Sequence, residues 1–373
     1  MRLNSMIAVL ACLVLMVVAG CGEENKSVEP EPVTPVPVQG PSGVALGNNV
    51  SLAPLLTWRA SGQPGDSVVY DVYFGTQTSP PRVATAIADT TFAVGPLFPG
   101  ARYYWAVHVR INGGPTGKSQ VWEFLTKTGI TLPIAAGNRW EYRRFIEAQE
   151  ATVSFHEIEV AQAGGTWGPL PAFVFEEHTA DLSSGTIDSS WTYYHHADSG
   201  LFLLGYEGSC NATPTRRVVE YDYRFNGYEF DRIEDLLRLI RADFAVGVRS
   251  ATASVGPIIE DPPKRAIEYP IEVGSRWTFR KGDPWPMEKE VLGYQVLTVP
   301  AGKFGAYEIR TYYDADNDGA WDDNFIRLDY FAEQGMVKRS ITLLDLELRD
   351  PLGNLIVIVD VYITYELVAY EVE

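Results

Sequence analysis

Leu132-Pro133-Ile134-Ala135-Ala136-Gly137-Asn138-Arg139-Trp140-Glu141-Tyr142-Arg143-Arg144 returns later in the chain as Tyr269-Pro270-Ile271-Glu272-Val273-Gly274-Ser275-Arg276-Trp277-Thr278-Phe279-Arg280-Lys281. Pro, Ile, Gly, Arg, Trp, an aromatic ring and Arg fall at the same places in both. A glycine turn leading into an alternating strand accounts for the pattern. Trp and Tyr or Phe share one face, while Arg and Thr or Glu share the other. Two further segments correspond with small gaps. Leu170-Pro171-Ala172-Phe173 parallels Val299-Pro300-Ala301-Gly302-Lys303-Phe304, and Tyr194-His195-His196-Ala197-Asp198-Ser199-Gly200-Leu201 parallels Tyr330-Phe331-Ala332-Glu333-Gln334-Gly335-Met336-Val337. Such self-similarity marks a duplicated β unit, with copy one over 129–268 and copy two over 269–373. Copy one differs at its centre, where Ala172-Phe173 lacks the glycine.

One stretch departs from the strand pattern. Asp231-Arg232-Ile233-Glu234 has the order of a helix capping box, and Ile233, Leu236, Leu237, Ile240 and Phe244 follow as one apolar stripe. The spacing predicts a helix over 231–244 that plugs a curved sheet. Leu355 to Val372 is alternating and β-branched, and reads as closing strands.

Upstream, short β-type runs separated by turns fill 44–128. Leu55-Leu56-Thr57-Trp58, Val69 to Gly75, and Val121-Trp122-Glu123-Phe124-Leu125-Thr126 are strand-like. Leu97-Phe98-Pro99-Gly100-Ala101-Arg102-Tyr103 precedes Tyr104-Trp105-Ala106-Val107-His108-Val109. These residues resemble the Leu-x-Pro-Gly-x-x-Tyr signature of fibronectin type III domains, with Trp58 in the place of the core tryptophan. The resemblance implies a β-sandwich whose tyrosine fixes a corner. It implies a spacer or adhesive unit and no activity, because fold alone does not confer function. Copy two resembles a pattern of bacterial envelope proteins: Pro270-x-x-x-Gly274-x-x-Trp277, then Val299-Pro300-Ala301-Gly302-x-Phe304, then Gly335-Met336-Val337-Lys338. That likeness implies curved antiparallel sheets and supplies no catalytic residue.

The N-terminus reads as an address. Arg2 precedes an unbroken apolar run from Met6 to Val18, too short to span a bilayer, ending in small residues. Val18-Ala19-Gly20-Cys21 resembles the bacterial lipobox. The resemblance implies a signal peptide over 1–20, removal before Cys21, and acyl chains such as palmitate on that cysteine. Each buried methylene then adds about 0.8 kcal/mol of membrane affinity. Gly22 rather than Asp follows, which in a two-membrane bacterium implies the outer membrane. Residues 21–43, with prolines at 30, 32, 35, 37 and 41, form a linker that favours extended backbone over a packed core.

Composition narrows the partners. The formal net charge is −18 at pH 7, which repels nucleic acid and anionic lipid headgroups. Of three cysteines, Cys12 lies in the signal peptide and Cys21 takes the lipid, so Cys210 has no internal partner for a disulfide.

The candidate metal ligands are Asp314, Asp316, Asp318 and Asp322, in Asp314-Ala315-Asp316-Asn317-Asp318-Gly319-Ala320-Trp321-Asp322-Asp323. Asp at positions 1, 3, 5 and 9 with Gly at 6 matches the start of a calcium loop. Phe325 stands where an EF-hand has its bidentate Glu, and strand-like sequence flanks the loop. The competing reading is a solvated hairpin tip built on Asp, Asn and Gly turn conformations. His195-His196 are adjacent on a strand, so their rings face opposite sides; Glu176, His178 and Asp198 complete the histidine-rich surroundings. No hydrolase elbow, zinc helix, phosphate loop or dinucleotide motif occurs.

The expected fold is mainly β: an N-terminal fibronectin type III-like β-sandwich, then a duplicated antiparallel β region, a curved sheet or half-barrel with one packed helix. The expected function is non-catalytic, with no cofactor apart from calcium at the acidic loop. A lipid-anchored cell-envelope protein would present its β region to a protein or glycan. The alternative is a periplasmic carrier of an apolar ligand within the curved sheet. A hydrolase with an unrecognised site stands third.

Overall fold

The computed structural model describes residues 36–37 and 47–373, apart from 60–61, 115, 149–150, 183–184, 186, 209–221, 227, 231–257 and 283–284. Eight strands form the N-terminal part: β1 Val36–Pro37, β2 Leu55–Arg59, β3 Val68–Gly75, β4 Arg82–Ile87, β5 Thr91–Ala93, β6 Arg102–Ile111, β7 Gly117–Lys118 and β8 Trp122–Leu125. They make a three-stranded sheet in the order β1-β2-β5 and a second sheet in the order β4-β3-β6-β7, with β8 also on β6. The first of them falls within the stretch read as linker, paired to Trp58 and Arg59.

Alternation decides which side chains meet between these sheets. Leu56, Trp58, Tyr70, Val72, Trp105, Val107, Trp122 and Phe124 point inward and form one buried cluster. Trp105 and Trp122 pack with ring centroids 4.4 Å apart. The corner expected at Tyr103 is present: the Phe98 N–H donates to the Tyr103 hydroxyl oxygen at 3.1 Å.

Fourteen strands follow: β9 Arg139–Ala148, β10 Ala151–Trp167, β11 Leu170–Asp181, β12 Ile187–Ala197, β13 Gly200–Gly208, β14 Asp222–Phe225, β15 Tyr228–Phe230, β16 Ile258–Glu268, β17 Arg276–Arg280, β18 Met287–Val299, β19 Gly302–Tyr313, β20 Phe325–Ala332, β21 Gly335–Arg349 and β22 Leu355–Glu371. All belong to one antiparallel sheet. Its main path runs β16-β13-β12-β11-β10-β9-β22-β21-β20-β19-β18-β17. Copy one contributes the first six in this order and copy two the last six, so the same six-stranded meander occurs twice. A ladder from Val361↔Ala148 to Glu371↔Arg139 joins the copies. The β14–β15 hairpin lies off the path, against β21 at Asp222↔Arg349.

Twist brings the two ends of the path together into a nearly closed barrel. At the seam the Trp277 indole N–H donates to the Arg265 carbonyl at 3.0 Å, and Lys289 Nζ donates to the Ala266 carbonyl at 3.3 Å. No ladder joins β16 to β17 among the described residues. Pro262 and Pro263 lie within β16 and have no N–H to donate, which suits an edge strand paired on one side only, to β13.

The expected packed helix does not occur among the described residues. Every regular element among the described residues is a strand. The stretch 231–244 that suggested a helix lies outside those residues. Nor is the sheet a half-barrel waiting for a plug. Rings from its own strands fill much of the interior: Tyr313 and Phe325 stack at 3.7 Å, and Tyr307, on the same strand as Tyr313, is fully buried. A local apolar stripe reports a helix's own periodicity and carries no information on what fills a sheet contributed by both copies.

The sandwich sits against the barrel through main-chain acceptors. Tyr294 donates its hydroxyl to the Leu97 carbonyl and Tyr307 to the Thr128 carbonyl, both at 2.7 Å. Glu333 accepts from Ser51 at 2.7 Å and pairs with Lys127.

Candidate functional site: the barrel interior

Part of the barrel is hollow. A cavity of roughly 200 Å³ opens among inward side chains of both copies. Along β9 these are Trp140 and Tyr142, along β10 Glu157 and Glu159, along β11 Phe175, Glu177 and Thr179, and along β12 Ser190, Thr192 and Tyr194. The step of two follows from strand alternation. Copy two adds Lys289, Arg327, Asp329, Phe331, Met336 and Arg339, and the strands near the seam add Leu201, Ala266 and Ile267.

The lining is amphipathic. Trp140 stacks on Phe175 at 5.8 Å and Phe175 meets Tyr194 edge-on at 5.2 Å. Leu132, Ile134, Leu201, Phe331 and Met336 extend this apolar wall. The rest is ionic and deeply buried. Arg327 and Asp329 are each 2% exposed and Lys289 is 3% exposed. Arg327 Nε donates to Asp329 Oδ2 at 3.0 Å, and Arg339 Nε donates to the other oxygen. Arg144 pairs with Glu157 at 3.4 Å, its guanidinium 4.1 Å from the Phe155 ring centre.

Buried charge is costly unless paired and hydrogen-bonded, which explains why these residues come as a network. Burial alone pushes the Asp329 carboxyl up; Arg327, Arg339 and Lys289 overcome it and leave the group below its usual range. Burial pushes the Tyr142 hydroxyl well up, so it stays a neutral hydrogen-bonding group at the wall; it donates to the Met336 carbonyl at 3.1 Å. Apolar rings at one side and fixed charges at the other suit a molecule with both characters. Nothing in the local pattern of Arg327-x-Asp329 beyond strand alternation signals the ionic half.

The histidines do not gather. His178 Nδ1 lies 2.9 Å from Ser189 Oγ, and its Nε2 lies 3.3 Å from Glu176 Oε1. Glu177 and Thr179 line the cavity, so alternation turns Glu176 and His178 to the opposite face of the sheet, while Ser189 itself borders the cavity. His195 stands six positions beyond Ser189 on the same strand, about 20 Å away at strand rise. It bonds the Pro171 carbonyl at 2.8 Å, and His196 meets Tyr269 edge-on at 5.5 Å. Their rings thus take separate partners, and Asp198 is exposed in the turn beyond.

The acidic loop lies between β19 and β20. Asp314, Asp316 and Asp318 bring carboxylate oxygens within 4.8 Å of one another. Asp322 faces the backbone instead, its Oδ2 accepting from the Ala315 N–H at 2.7 Å. Cys21 lies outside the described residues. A second cavity, of about 230 Å³, lies where the sandwich meets the barrel, between Val94, Pro96, Tyr294, Phe304 and Glu333.

No protein-family model and no curated protein matches the chain. Among solved structures, an exported protein of YmcC-like fold from Bacteroides fragilis is similar at 10% identity, over 65% of this chain and 99% of that one, with a TM-score of 0.28. A lipoprotein from Parabacteroides distasonis is similar at 10% identity, over 66% of this chain and all of that one, with a TM-score of 0.28.

Proposed function

We propose that this chain is a non-catalytic lipoprotein of the bacterial cell envelope that carries one small amphipathic molecule inside the barrel. The observation that carries the reading is the cavity itself, with Trp140 and Phe175 on one side and the Arg327–Asp329–Arg339 cluster on the other. A barrel that served only to present an outer surface would gain stability from a filled, apolar interior, since a void forfeits packing contacts and buried charge is costly. The cavity thus favours a carrier over a presenting scaffold. It also changes the ligand from apolar to amphipathic, because charged groups make up so much of the wall. Cys21 would hold the carrier on a membrane through its acyl chains, at the end of the Pro-rich linker. A Cys21→Ser chain that still fractionates with membranes would remove that part of the reading.

Native mass spectrometry of the protein, gently extracted from cells of its own source, tests the carrier. A single non-covalent adduct is expected on the wild type and is absent from Thr192→Phe, which fills the cavity. An adduct of equal occupancy on both proteins, or on neither, contradicts it.

A further inference from the structure

The hairpin tip between β19 and β20 carries chemistry that the cavity does not use. The carboxylate oxygens of Asp314, Asp316 and Asp318 lie within 4.8 Å of one another. Oxygens bound to one calcium ion, at about 2.3–2.6 Å each, stand at most about 5 Å apart. Convergence alone proves little, because exposed acidic turns fold without an ion. Asp316 Oδ1 accepts from the Asp318 N–H at 3.2 Å, and Asp318 Oδ1 from the Ala320 N–H at 2.8 Å. Both residues are exposed and need nothing more.

Asp314 is different. The residue is 6% exposed, its Oδ2 accepts one long bond from the Gly319 N–H at 3.2 Å, and its Oδ1 is buried without a hydrogen-bond donor. A buried carboxylate oxygen with no donor costs free energy, and two more carboxylates beside it raise that cost. A hard cation reverses both terms at once. The loop is also held from below. Asp322 accepts from Ala315 at 2.7 Å, the Asp322 N–H donates to the Tyr313 carbonyl at 2.7 Å, and Ala315 is buried in the core. Asn317 and Gly319 take positive φ of 59° and 88°, which turns the chain back over the three carboxylates.

We infer that Asp314, Asp316 and Asp318 bind one calcium ion, with Asp322 positioning the loop that presents them. The surface position sets a weak affinity, a Kd of about 10⁻⁴–10⁻³ M.

The test is a calcium titration of the full-length chain, read by calorimetry, by melting temperature, and by terbium luminescence sensitised by Trp321, which lies within the loop. One ion per chain is expected, with a melting temperature that rises with calcium and does not rise with magnesium. Asp316→Asn, at an exposed position, should raise the Kd at least about tenfold without lowering the calcium-free melting temperature. Asp314→Asn should raise it likewise and leave the calcium-free protein as stable or more so, because a buried charge is removed. Trp321→Phe should abolish the luminescence and keep the calcium heat. The inference is overturned by an unchanged melt up to about 10 mM calcium, by an equal response to magnesium, or by wild-type affinity in Asp314→Asn or Asp316→Asn. It is equally overturned if Asp314→Asn destabilises the calcium-free chain, since the carboxylate would then serve the fold and not an ion.

Discussion

The indole N–H of Trp140 donates to the main-chain oxygen of Gln334 at 2.6 Å, tying the opening strand of one repeat to the β20–β21 turn of the other. Trp277, its counterpart in copy two, spends its N–H on Arg265 across the seam. Both repeats thus use the same tryptophan to fasten to the other, once beside a full ladder and once in place of one. Gly335 completes the first contact. It sits at φ +118°, and a Cβ built there would meet Trp140 Nε1 at 2.6 Å.

Trp140→Phe should therefore cost about 1–2 kcal/mol, the lost hydrogen bond plus part of the lost ring volume. Gly335→Ala should cost about 1–3 kcal/mol, because it adds backbone strain and drives against the indole. Equilibrium urea unfolding, read by intrinsic fluorescence, measures both. A neutral Gly335→Ala would show that the turn does not clamp the tryptophan.

Asp329 predicts an acid dependence of stability. Its folded carboxyl lies below the usual range despite burial, through Arg327, Arg339 and Lys289. A lowered folded value means that its stabilisation is fully present above the unfolded value, about pH 4, and is lost as pH falls through the folded one. Asp329→Asn should remove about 3–5 kcal/mol near neutral pH, since two guanidinium groups lose their shared carboxylate. The difference between wild type and variant should shrink below about pH 4. A pH-independent difference in urea midpoints would contradict the assignment.

The expected fold was readable wherever local chemistry decides it. Trp58, Trp105 and Trp122 stand in strand-like runs, and all three sit in the sandwich core. The Gly-x-Arg-Trp openings likewise placed β9 and β17, and the Gly200 and Gly335 turns placed β13 and β21. What alternation cannot reveal is which face is inward once a sheet closes. Glu157, Glu177, Arg327 and Asp329 are charged residues on strands, and they line the barrel interior. Closure depends on pairs such as Tyr362↔Glu147, set by twist and by the second copy rather than by neighbours in sequence. One signal was available: Pro262-Pro263 inside an otherwise strand-like run marks an edge, and there the barrel has its seam. Arg144 beside Trp140 and Tyr142 was another, since a guanidinium packed among rings needs a buried carboxylate, and Glu157 supplies it.

The sandwich and the barrel should unfold together. Tyr294 and Tyr307 hold the sandwich by hydroxyl bonds to Leu97 and Thr128. Replacing both by Phe removes two hydrogen bonds, each worth about 1 kcal/mol, while keeping the rings. The double variant should broaden or split a single thermal transition, with the sandwich tryptophans and the barrel reporting different midpoints by calorimetry and near-UV circular dichroism. An unchanged single transition would show that apolar contact alone joins them.

The most direct test of the carrier is fluorescence titration with 1-anilinonaphthalene-8-sulfonate, a probe with apolar rings and one fixed charge. The wild type should bind one equivalent, with energy transfer from tryptophan, and Thr192→Phe should lose that site while keeping its fold by circular dichroism. Competition by decanoate and by decylamine then reads the headgroup charge that the ionic wall accepts. Saturable one-to-one binding abolished by the filled cavity is the predicted result. Binding that Thr192→Phe leaves intact, or no saturable binding by the folded wild type, would contradict a ligand site inside the barrel.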